Sequence, residues 1–409
     1  MRAVLIILDG LGDRRCRALN GLTPLQAARA NLLDRLAAEG ETGLVDVVSP
    51  GIPNGSDTGH LALLGYDPYR YYTGRGPFEA LGAGFDLKEG DVAFRCNFGT
   101  VNENNVVVDR RAGRISTEEG RQLAQEIDKA TIDGVEVFFK HTVEHRGVLV
   151  LRGENLSHRV SNVDPHRNGV QVETPRPLDG TREAQLTAEV LAKFLAKAKS
   201  VLSTHPVNVE RQKRGLQPAN FLLTRGAGVL PSIPRFEEKF GLRAAIVAGG
   251  ALYKGVCRAA GFDIVEVEGA TGTVNTNLAG KVEAALNTLK THNLVLLHIK
   301  ATDTVSHDRN PLEKVRMIQK IAVALERLVD RIPSNTYLSV TGDHSTPSEI
   351  GDHRGDPVPL LIWGPDVRGD TVNMFDEISC CQGGLGRISG VDLMPIIANY
   401  LGVLEMFGE

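Results

Sequence analysis

Six consecutive apolar residues, Ala3-Val4-Leu5-Ile6-Ile7-Leu8, end abruptly at Asp9-Gly10. With no polar residue in alternation, such a run suits a strand covered on both faces, and strands of that kind belong to parallel sheets flanked by helices. Similar runs recur late in the chain at Ala244–Ala248, Leu294–Ile299, Tyr337–Val340 and Pro359–Trp363. Between two of them, Leu312–Ile332 carries Val315, Ile318, Ala322, Leu325 and Val329 at helical spacing. Near the start, Thr23 as N-cap and Pro24 in the first turn open a helical stretch running to Leu36. Strands alternating with helices predict an α/β fold with a mostly parallel sheet.

The middle of the chain reads differently. It holds shorter β-like pieces (Val92–Phe98, Val106–Val108, Gly147–Leu151), many Arg and Asn, and one long helix over Arg182–Leu202. Thr73-Gly74-Arg75-Gly76-Pro77 and Pro231-Ser232-Ile233-Pro234 punctuate its margins. With 409 residues the chain is long enough for two domains. The expected organisation is a discontinuous α/β domain, residues 1–72 and 235–409, into which a smaller α/β or α+β domain, residues 73–234, is inserted.

Composition narrows the function classes. Lys and Arg number 46 against 50 Asp and Glu, a net charge of −4, which disfavours nucleic acid as a partner. No apolar stretch reaches the ~20 residues that cross a bilayer, and the first run is too short and wrongly flanked for a signal peptide. Five cysteines without a C-x-x-C pair fit reduced thiols in a cytoplasm. No segment satisfies G-x-G-x-x-G, and Gly250-Ala251-Leu252-Tyr253-Lys254-Gly255 fails as a phosphate loop because Val256 stands where Lys is required.

Chemistry collects where the strands end, the edge at which open α/β sheets bind ligands. The first strand runs into Asp9; Leu294–Ile299 is followed by Asp303 and His307; Tyr337–Val340 runs into Asp343-His344, with His353 close behind. Taken singly, Asp-Gly is equally a turn, Asp-x-x-x-His a helix start, and Asp343–Pro347 a capped loop. Taken together, these acids and imidazoles are a ligand set for two divalent cations such as Zn²⁺ or Mn²⁺. Paired cations of that kind handle phosphoryl groups. Ser56, in the Gly-flanked loop Asn54–His60, offers either a nucleophile or an ordinary helix cap. Arg75, Arg95, Arg110, Arg111, Arg146, Lys254 and Lys300 supply cations suited to carboxylate and phosphate; any one of them is equally a solvated surface charge.

Several segments together resemble the archaeal-type cofactor-independent phosphoglycerate mutases of the alkaline phosphatase superfamily. They are Leu8–Arg14, Gly55–Leu61, Leu64–Pro68, Thr73–Gly82, His298–Asp303, Gly342–Pro347 and Gly351–His353. Ser306 and Ser348-Glu349 depart from the family pattern without touching those positions. The resemblance implies an alkaline-phosphatase-like sheet domain. It also implies interconversion of 3-phosphoglycerate and 2-phosphoglycerate, without 2,3-bisphosphoglycerate, through a phosphoserine on Ser56. Asp9, Ser56, Asp343 and His344 match the ligands of one metal, and Asp303, His307 and His353 those of the other. The seven Arg and Lys residues match substrate-gripping positions, and the inserted domain is expected to close over the intermediate and exclude water. Mn²⁺ is the first expectation, with Zn²⁺, Co²⁺ or Mg²⁺ as alternatives; homo-oligomerisation is left open. The alternative activity is that of a metal-dependent phosphatase or phosphodiesterase, or of a homoserine-kinase-like phosphotransferase.

Overall fold

A computed structural model describes residues 1–408. Two compact units divide the chain: Met1–Tyr71 with Ile233–Glu409, and Tyr72–Ser232.

The first unit is built on an eight-stranded sheet. Its order is Asp263–Val265, Ala244–Val247, Leu294–Ile299, Arg2–Leu8, Thr336–Thr341, Val358–Trp363, Glu41–Asp46 and Gly386–Ser389. Every strand runs in one direction except Val358–Trp363, which is antiparallel to both neighbours. Ala3 through Leu8 are at most 1% exposed, so the opening strand is covered on both faces. Val4, Ile6 and Leu8 pack with Leu32, Leu33 and Leu36 and with Met317, Ile318, Ile321 and Leu325 of the helix Pro311–Val329. Burying each such side chain contributes roughly 1.5–3 kcal/mol.

The early helical stretch is two helices, Pro24–Ala28 and Asn31–Glu39. Thr23 and Gln26 form a reciprocal capping box on the first. Arg29 then takes a left-handed conformation (φ 43°), and the Ala28 carbonyl accepts from Gln319 Nε2 instead of from a continuing helix.

The second unit is α+β. Its six-stranded sheet is antiparallel throughout, centred on Val92–Val101, which pairs with Arg146–Arg152, Phe221–Val229 and Val107–Asp109. The helices Arg75–Gly82 and Arg182–Thr204 pack on it. At the start of Arg75–Gly82, a Cβ at Gly76 would come within 2.0 Å of the Ala93 carbonyl oxygen, so only glycine lets the helix lie this close to the strand.

Candidate active site

Three adjacent parallel strands set the site in the first unit. Leu8 lies level with Ile299, and Ile7 with Thr341, so the residues that follow emerge together: Asp9, Lys300 with Asp303, and Asp343 with His344. Asp9, Asp343 and His344 are at most 1% exposed, as is Asp303. Ser56 joins them as the first residue of the helix Ser56–Leu63. Gly55, not Ser56, is the cap, and the Ser56 hydroxyl lies 3.2 Å from His344 Nε2.

Second contacts fix how each candidate ligand atom points. Thr346 Oγ1 donates to Asp303 Oδ1 (3.0 Å) and accepts from His344 Nδ1 (2.9 Å). That bond turns His344 Nε2 toward Ser56, Asp9 Oδ1 (3.4 Å) and Asp343 Oδ1 (3.5 Å). His307 Nδ1 donates to the Gly351 carbonyl (2.9 Å), and His353 Nδ1 to the Asn54 carbonyl (2.7 Å). Their Nε2 atoms consequently face each other at 3.3 Å, beside Asp303 Oδ1. Imidazoles anchored through one nitrogen, with the other nitrogens converging on a carboxylate, are arranged as metal ligands are.

The donor atoms fall into two groups, Asp303–His307–His353 and Asp9–Asp303–His344, the atoms of each lying within 4.8 Å of one another. Asp9 Oδ1 and Asp343 Oδ2 are buried without a hydrogen-bond partner among the described residues. Orphaned carboxylate oxygens of this kind fit a bound cation. Electrostatics agree. Burial alone would raise the Asp9 carboxyl, yet Lys300, His298 and His344 hold it well below the usual carboxylate range. Burial opposes a charge on His344, but Asp343, Asp9 and Asp303 push it up to about 9. The cluster carries surplus negative charge, which it offsets by gathering protons and the Lys300 ammonium, 2.7 Å from Asp303 and 3.4 Å from Asp9.

The other predicted cations divide four ways. In the inserted unit, Arg75 and Arg95 converge on Glu79 at 2.9 and 3.4 Å. Burial would raise the Glu79 carboxyl, but Arg95 and Arg75, with Arg146 contributing, lower it to about 2. Arg110 grips Asp164 through two nitrogens, at 2.8 and 2.6 Å. Arg111 and Arg146 act on His145, whose imidazole burial and these charges push down to about 3. Lys254 instead pairs with Glu266 at 2.6 Å.

A family sequence model described as "2,3-bisphosphoglycerate-independent phosphoglycerate mutase" matches residues 37–208. A protein of that name from Methanocaldococcus jannaschii is 50% identical over 408 residues, covering 100% of this chain and 99% of the relative. The chain belongs to this family. A Pyrobaculum neutrophilum member is 47% identical, covering 99% of this chain and 98% of its own. Among solved structures, the cofactor-independent phosphoglycerate mutase of Thermoplasma acidophilum is 41% identical with a TM-score of 0.68, covering 97% of this chain and 99% of its own. A Pyrococcus horikoshii protein is 40% identical with a TM-score of 0.88, covering 100% and 99%.

Several residues of these clusters were not among the sequence candidates. His298 Nε2 donates to Asp9 Oδ2 (3.1 Å) beneath the stacked ring of Tyr253. His60 Nδ1 donates to the Ser56 carbonyl (2.7 Å) and lies 3.4 Å from Asp343 Oδ2. Both sit inside motifs the sequence already displayed, and they contact the candidate ligands Asp9 and Asp343. Arg225 lies opposite Arg95 in the inserted sheet and shares Asp164 with Arg110. An Arg inside the apolar strand Phe221–Val229 is the same signal that singled out Arg95.

Proposed function

We propose that this chain interconverts 3-phosphoglycerate and 2-phosphoglycerate without 2,3-bisphosphoglycerate, through a phosphoserine on Ser56. The observation that carries the reading is the placement of the Ser56 hydroxyl. It starts a helix, caps nothing, and lies 3.2 Å from His344 Nε2, which is itself 3.4 Å from the orphaned Asp9 Oδ1. Asp9, Ser56, Asp343 and His344 would hold one divalent cation and Asp303, His307 and His353 the other. Mn²⁺ is the first choice for this mixed Asp/His set, with Zn²⁺, Co²⁺ and Mg²⁺ as alternatives. When bound, such ions supply positive charge that eases ionisation of a serine hydroxyl and neutralises phosphoryl oxygens.

The remaining steps belong to the chain's own residues. Ser56 Oγ forms a bond to phosphorus as the bond from phosphorus to the glycerate oxygen breaks, and the proton lost by Ser56 ends on the departing hydroxyl. Glycerate reorients, its other hydroxyl attacks the phosphoserine, and Ser56 Oγ leaves and regains a proton. Lys300, flanked by Asp9 and Asp303, would steady the phosphoryl group. Arg75, Arg95, Arg110, Arg111 and Arg146 are the proposed grips on the anionic substrate. Residence in the cytoplasm fits the five free cysteines.

Ser56→Ala tests the reading. It is expected to keep Mn²⁺ binding by calorimetry while an enolase-coupled assay on 3-phosphoglycerate loses at least about 10⁴-fold in turnover. Substantial residual mutase activity would sink the phosphoserine route. Release of inorganic phosphate as fast as isomerisation would replace mutase with phosphatase.

A further inference from the structure

Lys314 is a lysine where a lysine is costly. It lies in the first turn of the helix Pro311–Val329, the end of a helix that disfavours cations, and it is 0% exposed. The ammonium is fully engaged: it donates to the carbonyls of Gly10 (2.9 Å), Gly12 (3.4 Å) and Thr346 (3.1 Å) and to Asp13 Oδ2 (2.9 Å). These acceptors come from two separate loops, one following the Arg2–Leu8 strand and one following Thr336–Thr341. The loops are also joined directly, by Thr346 N–H to the Gly12 carbonyl (3.0 Å) and Ser348 N–H to Asp13 Oδ2 (2.9 Å).

The residues tied in this way are those that aim the ligands. Gly10 follows Asp9, and its N–H donates to Asp343 Oδ1 (3.1 Å). The hydroxyl of Thr346 bridges Asp303 and His344. His307 and His353 are anchored elsewhere, on the Gly351 and Asn54 carbonyls. We propose that Lys314 is a positioning residue whose buried ammonium holds the Asp9 and Asp343 loops in register, setting chiefly the cation affinity of the Asp9–Asp343–His344 side. On the other side Thr346 reaches only Asp303, which Lys300 also holds through Oδ2 (2.7 Å), and His307 and His353 keep their own anchors. The inference rests on the reading of these residues as cation ligands.

A buried ion pair is a weak source of stability, and apolar replacement of both partners is often neutral. Loss of a contact that orients metal ligands typically costs 10- to 100-fold in affinity. The two roles therefore separate experimentally. Mn²⁺ titration calorimetry on the chelator-stripped full chain is compared for wild type, Lys314→Met, Lys314→Met with Asp13→Asn, and Ile318→Ala, a core truncation on the same helix. In Lys314→Met one of the two Mn²⁺ dissociation constants is expected to rise at least about ten-fold and the other less than about three-fold. The same rise is expected in a His353→Ala background, where the Asp9 side binds alone. The double variant, freed of an unpaired buried carboxylate, regains thermal stability but not affinity. It also serves as the measurement if the single variant does not fold. Ile318→Ala lowers Tm with both constants unchanged.

Wild type that binds no Mn²⁺ overturns the ligand reading and this inference together. Wild type that binds, with Lys314 variants that bind equally well or whose affinity merely follows Tm as in Ile318→Ala, overturns the positioning role alone.

Discussion

Two histidines, one in each unit, are pushed in opposite directions. His344 sits among Asp343, Asp9 and Asp303 and is raised to about 9 despite burial. His145, buried near Arg146, Arg111 and Arg95, is lowered to about 3. The side chain is the same and both are buried, so the difference measures the sign of the local surplus charge. The sheet edge of the first unit is short of cations; the arginine cluster of the inserted unit is short of anions. A net charge of −4 over 409 residues averages the two and reports neither. Under the proposed function, the negative surplus would receive metal ions and the positive one an acid phosphate.

The strongest challenge to this contrast is Asp343→Asn. The amide keeps an oxygen for the Gly10 N–H but removes one charge of the negative surplus. Turnover is expected to fall at least about 10³-fold in the enolase-coupled assay, because a ligand and its charge are gone. The Tm of the chelator-treated protein, in contrast, should not fall. A clear drop would mean that the carboxylates are already balanced without added cations.

The mirror experiment is Glu79→Gln. Glu79 is the carboxylate on which Arg75 and Arg95 converge, and removing its charge leaves the guanidiniums facing one another. Breaking a buried pair on one side costs about 3–5 kcal/mol. Urea unfolding followed by an inserted-unit probe should show a loss of about 3 kcal/mol. No loss would mean that the positive surplus is already relieved by solvent.

The negative cluster was legible in the sequence and the positive one only in outline, for a physical reason. Parallel strands deliver their polar cluster within a few residues of their own carboxyl ends, so Leu8-Asp9 and Val340–His344 announce the candidate site locally. The inserted cluster is assembled by antiparallel register: Arg95 meets Arg225 across 130 positions only because Val92–Val101 pairs with Phe221–Val229. Its countercharge Asp164 carries no local mark at all. The opposite run of Val358–Trp363 was equally hidden, since an apolar strand reads the same in either direction. Lys314 had a signal that periodicity could have caught. It stands four residues before Ile318, on the buried stripe of its own helix, where a charge must either be paired or be an exception.

The smallest effect expected reads the burial of His145 together with the positive surplus around it. Folded His145 takes a proton only near pH 3, whereas the unfolded chain takes one near 6.5. Between these values the unfolded state binds more protons, so this group's contribution to stability is present above about pH 6.5 and is lost progressively as the pH falls toward 3. At pH 5 the unfolded histidine is almost fully charged and the folded one is not, which amounts to about 2 kcal/mol. Glutamine removes the titration while keeping a polar side chain of similar length. The stability difference between His145→Gln and the parent, measured by urea at pH 7.5 and pH 5, should therefore move in favour of the variant by about 2 kcal/mol on acidification. An unchanged difference would show that His145 accepts its proton in the folded state as readily as in the unfolded one. The Arg146 and Arg111 charges would then be screened, and the contrast with His344 would rest on the sheet unit alone.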